Sequence, residues 1–401
     1  MANTLKFGAG EWATKEGSAL AYNDENGNFK PLPFDFTRAS NATRVGRNGL
    51  IETVGSNVPR IDFLNDSNGA LKLEPQRSNE LLYSEEFNNA AWSKTNSTIT
   101  ANDAVSPDGL TNADKITDNA NSTQHRVTQA ISVTSGTSYN ASIFVKNDDK
   151  GDFAINFTAA GFGSTQIVFN LINGTVTSGT GTIEDYGNGW YRISATAAAN
   201  VTGRGTIGFN LGDGGGYVGT GQSVFIWGAQ VEEGSYETSY IPTQGSQVTR
   251  VADACSQTPP DGIIGQTEGT LFAEIDYTIN TESAGILGID GGSVNFAFLF
   301  IGASNAVNFN IYYGGSPQAL LAYTLPSSGK YKIAGAYKEN DFVLYVNGVQ
   351  RASDTSGIVP TCSVLSINST SYGLPPNSKH SQAQLYNTRL SNAELQALTT
   401  I

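Results

Sequence analysis

The chemistry open to this 401-residue chain is narrow. It has two histidines, His125 and His380, and two cysteines, Cys255 and Cys362. A histidine acting as general base or metal ligand needs convergent partners, and neither stands in a motif that supplies them. His125 heads a strand-like segment and His380 lies in the polar run NSKHSQ, so surface positions are expected for both. The cysteines form no C-x-x-C spacing and no disulfide framework. There is no G-x-S-x-G and no Walker-type loop. GDGGGY and DGGS lack a following Lys-Ser/Thr and a helix, and read as turns.

Paired carboxylates are the remaining route to catalysis, as in a glycosidase. The candidates are Glu232–Glu233, Glu184–Asp185 and Asp276–Glu282. Neighbours on a strand point to opposite faces, so Glu232 and Glu233 cannot serve one site while the strand continues. Surface solubility accounts better for all three pairs. No catalytic residue is expected.

Sugar binding asks instead for aromatic faces beside amide and carboxylate groups. Tyr217 (in GGGYVG), Tyr372 (in STSYGLPP), Tyr186 and Trp190 are the expected glycan contacts, with Trp92, Tyr312 and Tyr313 as further aromatics of the right kind. For Trp92, Trp190 and Trp227 a core role weighs more heavily than a contact. Tyr217 and Tyr372 fall in loop-like stretches and are the better contacts of the set.

The elements that must position these residues are strands. Gly is 45 of the residues, and charged residues are only 15%, a composition of turns and short strands rather than long helices. A hydrophobic content of 39% suffices to bury cores. The net charge of −13 disfavours phosphate backbones, so no nucleic-acid partner is expected. No apolar run reaches the roughly 18 residues of a membrane span. Two cysteines without a disulfide framework, and the absence from MANTLKFGAGEW of a basic and apolar leader pattern, point to assembly in a reducing cytoplasm. Arg38, Arg44, Arg60 and Arg77 recur within apolar segments, where structural roles are expected.

The fold class expected is all-β: an N-terminal extended β region followed by two β-sandwich (jelly-roll) domains. Residues 1–79 hold short strand pieces, with Phe34 and Phe36 at period two, and read as an attachment and oligomerisation region. Residues 80–244 read as one sandwich. In SYNASIFVK, Tyr139, Ala141, Ile143 and Val145 share a face; in TQIVFNLI, Ile167, Phe169 and Leu171 do. The turns NGT and GNG are hairpin signals. Residues 245–265 read as a linker and 266–401 as a second sandwich. Only LSNAELQALT reads as helix, with Ser391 as cap and Glu394 three residues on.

Several blocks carry a resemblance. FTRASNATRV, GLIETV, VPRIDF, LKLEPQRSNELLYSEEFNNAAWSK, GNGWYRISATA and FIWGAQVEEGSYETSYIPTQGSQVTRVAD together resemble a recurrent block of phage tail and capsid-appendage proteins. SEEFNNAAW to IWGAQVEEG resembles a carbohydrate-binding-module jelly roll. That resemblance implies a structural calcium whose matching positions are Glu86 and Gln230, the second an amide where the pattern has a carboxylate. GTLFAEIDY, YKIAGAYKENDFVLYVNGVQRA and AQLYNTRLSNAEL resemble the laminin-G/concanavalin A-like sandwich of surface-recognition proteins.

These resemblances imply a virion structural protein on the tail or capsid surface: a fibre or appendage subunit that binds host-surface or mucus glycans and other virion proteins. A capsid head fibre or decoration protein is the nearest alternative, and a glycan depolymerase the next. A homotrimer is expected, because the apolar strand pieces of 1–79 need partners, and by analogy with phage fibres.

Overall fold

The computed structural model describes residues 5–23, 30–259, 261–367 and 378–401. Among them strand dominates, at 55%, and helix is 3%, so the chain is all-β as its composition requires. It divides into two compact units, neither a continuous stretch of chain. One holds Met1–Asn41, Val54–Gln76 and Val251–Ile401; the other holds Ala42–Thr53 and Arg77–Arg250.

The division differs from the expected one. Residues 1–79 are not a region apart, because their strands are completed by strands far along the chain. Leu5–Gly8 pairs antiparallel with Ser378–Tyr386, and Lys30–Thr37 with Ala254–Gln257. Ala70–Leu73 also pairs with Ser378–Tyr386. The backbone edges that argued for neighbouring subunits are thus satisfied within the chain, which removes that argument for a trimer. The expected linker 245–265 contains the boundary itself. Val248–Arg250 pairs with Arg77–Asn79 in one unit, while Ala254–Gln257 belongs to the other.

The unit containing both ends of the sequence is one antiparallel sheet folded on itself. One half runs, strand by strand, Ser316–Thr324, Ala306–Tyr313, Phe296–Ile301, Ala284–Asp290, Val364–Ile367, Ala254–Gln257, Lys30–Thr37. The hairpin Ser18–Asn23/Lys30–Thr37 turns the corner to Leu5–Gly8. From there the second half continues through Ser378–Tyr386, Glu268–Tyr277, Gly329–Lys338, Asp341–Val346 and Val349–Asp354. Alternate residues of both halves meet in one core that includes Phe7, Phe34, Leu271, Leu299, Phe309 and Leu344. The helix Asn392–Thr399 begins at the capping box expected of it, Ser391 with Glu394. Its Leu395 packs with Phe272, Ala334, Val343 and Tyr345 on the outer side of the second half.

A buried ion cluster ties the early and late segments of this unit. Asp253 accepts from Arg38 Nη1 at 3.1 Å and from Arg60 Nη2 at 2.5 Å, and Arg60 Nη1 donates to Glu74 at 2.6 Å. Burial works against the Arg60 charge, but Asp253 and Glu74 outweigh it and raise its pKa. The structural role expected of these arginines is this one.

The other unit is a sandwich of two six-stranded antiparallel sheets. Tyr139, Ala141, Ile143 and Val145 all face the core, as do Ile167, Phe169 and Leu171. Both hairpins expected at NGT and GNG are present, Thr165–Asn170/Thr175–Ser178 and Gly181–Asp185/Trp190–Ala198. The outer side of one sheet carries buried Trp227, Phe144 and Gln230, joined there by Tyr240 and Thr238.

Candidate functional site

The residues singled out for chemistry are placed by the fold as follows. Both histidines are fully buried instead of lying on the surface. His125 Nδ1 is 2.6 Å from the Asn96 carbonyl and Nε2 is 3.1 Å from that of Tyr217. His380 sits on the strand Ser378–Tyr386 with Nε2 3.0 Å from the Ile286 carbonyl. Burial lowers its pKa to about 4, the bond to Ile286 opposing. Neither ring is open to a substrate. Glu232 and Glu233 diverge as strand geometry requires: Glu232 is buried against Thr238, whereas Glu233 accepts from the Tyr139 hydroxyl. Asp185 accepts from the Gly187 amide in a turn, and Asp276 lies in register with Lys379 and Lys330.

The expected glycan contacts fare unevenly. Trp190 is buried at 2% exposure with its indole N–H on the Val105 carbonyl, so it has no face to offer a sugar. Trp92 and Trp227 are buried too, at 1% and 0%. Tyr186 is half-buried and meets Phe144 edge-on at 4.9 Å. Tyr217 lies on the short strand Tyr217–Val218 with its ring already occupied. Lys150 Nζ stands 3.5 Å from its centroid, and the His125 ring is 4.5 Å away. Its hydroxyl donates to Asp118, which also accepts from the Thr220, Gly221 and Gln222 amides. Burial and this bond raise the Tyr217 pKa; Asp118, despite its own burial, is lowered by Tyr217, the amides and Lys150. Tyr217 therefore secures a loop, and its half-buried ring is shared with Lys150 and His125. Tyr372 lies outside the described residues.

Glu86 and Gln230, the calcium positions, are not alike. Glu86 is exposed in a turn, and Gln230 is fully buried with its amide spent on Glu232 and Ile241. Among the described residues no group of three or more His, Cys, Asp or Glu is placed to hold a metal.

What the structure does assemble is an aromatic and amide strip on the outer side of the first half-sheet. Ala297, Leu299, Val307, Phe309, Ile311 and Leu321 point into the core. Their neighbours Phe296, Phe298, Phe300, Asn308, Asn310, Tyr312 and Leu320 lie on the other side of the sheet, where Phe296 and Phe298 are buried at 7% and 2% and Phe300, Asn308, Asn310 and Tyr312 are half-buried. Register sets Phe296 opposite Tyr312, Phe298 opposite Asn310, and Asn310 opposite Leu320. The Phe296 and Tyr312 rings stack at 4.5 Å with 17° between their planes. Gly288 is paired with Phe298, and a methyl group there would stand 2.1 Å from its ring; the aromatic lies down over the glycine. At the hairpin end Tyr313 and Leu320 stay open to solvent at 45% and 55%. The signal in the sequence was the period-two pattern of FAFLF and NFNIYY. Only the register, which no spacing reveals, brings the two together.

No protein-family model and no curated protein matches the chain. Solved structures give weak likenesses to parts of it. A sialidase carbohydrate-binding module, CBM40, from Ruminococcus gnavus, bound to α2,3-sialyllactose, is 18% identical with a TM-score of 0.29, covering 34% of this chain and 84% of that one. NanB sialidase of Streptococcus pneumoniae gives 13%, 0.30, and 34% and 25% coverage. A pentraxin of Limulus polyphemus gives 9%, 0.26, and 32% and 68%. TM-scores of this size carry no argument about function.

Proposed function

We propose that the chain is a non-catalytic glycan-binding subunit of a bacteriophage appendage, and that the Tyr312–Asn310–Leu320 strip is where it meets the sugar. The observation that carries this reading is the half-buried Tyr312, seated on the buried Phe296 ring, with half-buried Asn310 and exposed Leu320 on the same sheet face. A pyranose ring presents an apolar C–H face, which suits an aromatic ring, and a belt of hydroxyls, which suits amides. The phage setting rests on the sequence blocks that resemble appendage proteins. One shallow strip of this kind binds at millimolar strength, and repeated copies on a particle raise that greatly when several engage one surface.

The test is binding of the full chain to host-surface polysaccharide, compared with Tyr312→Ala and Asn310→Ala. Each substitution is expected to weaken binding about tenfold, roughly 1.4 kcal/mol, with polymer length unchanged throughout. Undiminished binding by both variants, or time-dependent shortening of the polymer, sinks the reading. Locating labelled protein in imaged particles separates a tail fibre from a head fibre.

A further inference from the structure

The strip on the outer side of the first half-sheet is built from a stretch of chain that lacks cations. From Val251 to Gly329 there is no Lys, Arg or His, whereas Asp253, Asp261, Glu268, Glu274, Asp276, Glu282 and Asp290 all fall there. From Gly291 to Gly329 no charged residue of either sign occurs. That second stretch supplies Phe296–Ile301, Ala306–Tyr313 and Ser316–Thr324 together with the turns that join them. Tyr312, Asn310 and Leu320 therefore have only uncharged neighbours along their own three strands.

The strands beyond them add charge of one sign. Ala284–Asp290 pairs with Phe296–Ile301, and Val364–Ile367 follows it. Leu287 and Ile289 point into the core, so Gly288 and Asp290 lie on the side of the strip. Asp290 stands opposite Phe296, which is itself opposite Tyr312. Its carboxylate accepts from the Gly292 amide at 3.3 Å. At the other margin the Arg351 guanidinium lies over the Tyr323 ring, 4.1 Å from its centroid. Tyr323 packs against the core on the same side of its strand as Leu321, and so away from Leu320. From Ser316–Thr324 across to Val364–Ile367, the strip's side of these strands carries no cation among the described residues.

We propose that the strip selects uncharged glycans and turns away acidic ones, an inference that rests on the reading of Tyr312, Asn310 and Leu320 as the sugar-binding face. A carboxylate, sulfate or phosphate on the glycan would shed water there with no cation to receive it, and an ionic group desolvated without a partner is costly. It would also approach against Asp290 and against a chain of net charge −13. Hydroxyls meet no such obstacle. The Asn310 amide can both give and take a hydrogen bond, and Tyr312 and Leu320 suit the C–H face of the ring.

The test is binding of the full chain to an uncharged glucan, galactan and mannan, each beside its own form with primary alcohols oxidised to carboxylates. At low salt at least one uncharged polymer is expected to bind, and its oxidised form roughly tenfold more weakly. That difference should shrink at about 1 M salt, where charges are screened beyond about 3 Å. Ala322 is exposed and directly opposite Asn308, beside the strip and on its side of the sheet. Ala322→Lys should leave binding of the uncharged polymer unchanged and strengthen that of the oxidised form roughly threefold at low salt. Equal or tighter binding of the oxidised form at low salt overturns the selectivity; if Tyr312→Ala abolishes that binding, the strip still stands as the sugar-binding face. A difference undiminished at high salt, or an Ala322→Lys variant that binds the oxidised form as weakly as before, overturns charge as the cause. Binding of none of the polymers overturns the reading of the strip and this inference with it, so the two failures are distinguishable.

Discussion

Arg60 Nη2 lies 2.5 Å from Asp253 Oδ2 with neither side chain exposed, although 193 residues separate them along the chain. Asp253 also receives Arg38 and the Glu74 amide, so one carboxylate holds three segments. Asp253→Asn removes the charge that offsets two buried guanidinium groups. We expect a loss of roughly 3–5 kcal/mol, read as an earlier denaturant transition of the unit that holds Asp253. An unchanged midpoint would contradict the weight placed on this cluster.

Deleting residues 1–79 removes the corner hairpin and the strands that pair with Ala254–Gln257 and Ser378–Tyr386. The shortened chain is expected to lose cooperative unfolding of the unit containing Val251–Ile401 and to aggregate through its unpaired edges. A well-dispersed amide spectrum from that half, at micromolar concentration, would count against the pairing described.

His380 gives a pH dependence with a definite sign. Its folded pKa is lowered to about 4 from 6.5, so the neutral ring is the folded form and the unfolded chain takes up the proton first. Stability from this site is complete above pH 6.5 and falls as the pH drops from 6.5 towards 4, by roughly 3 kcal/mol in all. His380→Gln keeps a donor for Ile286 and does not titrate. Its unfolding free energy should lack this part of the slope between those pH values; identical slopes would remove His380 from the account.

Gly288→Ala puts a methyl group into the Phe298 ring. Overpacking of this kind costs about 1–3 kcal/mol, and the ring must leave its seat. Weaker glycan binding together with a lowered unfolding temperature is the expected pair of results. A variant as stable as wild type would mean that Phe298 moves freely.

What could be read from the sequence was local. Ser391 and Glu394 stand three apart before an apolar stripe, and the helix begins there. The alternation of Tyr139, Ala141, Ile143 and Val145 was enough to assign a buried face. What could not be read was pairing across distance. Leu5–Gly8 and Ser378–Tyr386 have no shared spacing to announce that they are neighbours. The surroundings of Tyr217 were hidden for the same reason. Its glycine-rich surroundings suggested an exposed loop, while the groups that cover it, His125 and Lys150, come from elsewhere in the chain. Both histidines misled likewise, since polar neighbours in sequence say nothing of the backbone carbonyls that enclose them in space.

The split composition of the unit holding Arg60 and Asp253 has a consequence for how the chain is made. Leu5–Gly8 and Lys30–Thr37 leave the ribosome long before Ala254–Gln257 and Ser378–Tyr386, the strands that pair with them. Meanwhile Arg77–Asn79 and Val248–Arg250 close on each other, so the intervening sandwich can fold while the early strands still wait. During that interval the apolar residues Leu5, Phe7, Phe34 and Phe36 stand uncovered. A second nascent chain on the same message offers the same missing partners, and crowding of ribosomes turns a within-chain pairing into an exchange between chains. The rate of translation thereby becomes part of what decides the yield of correctly closed chains.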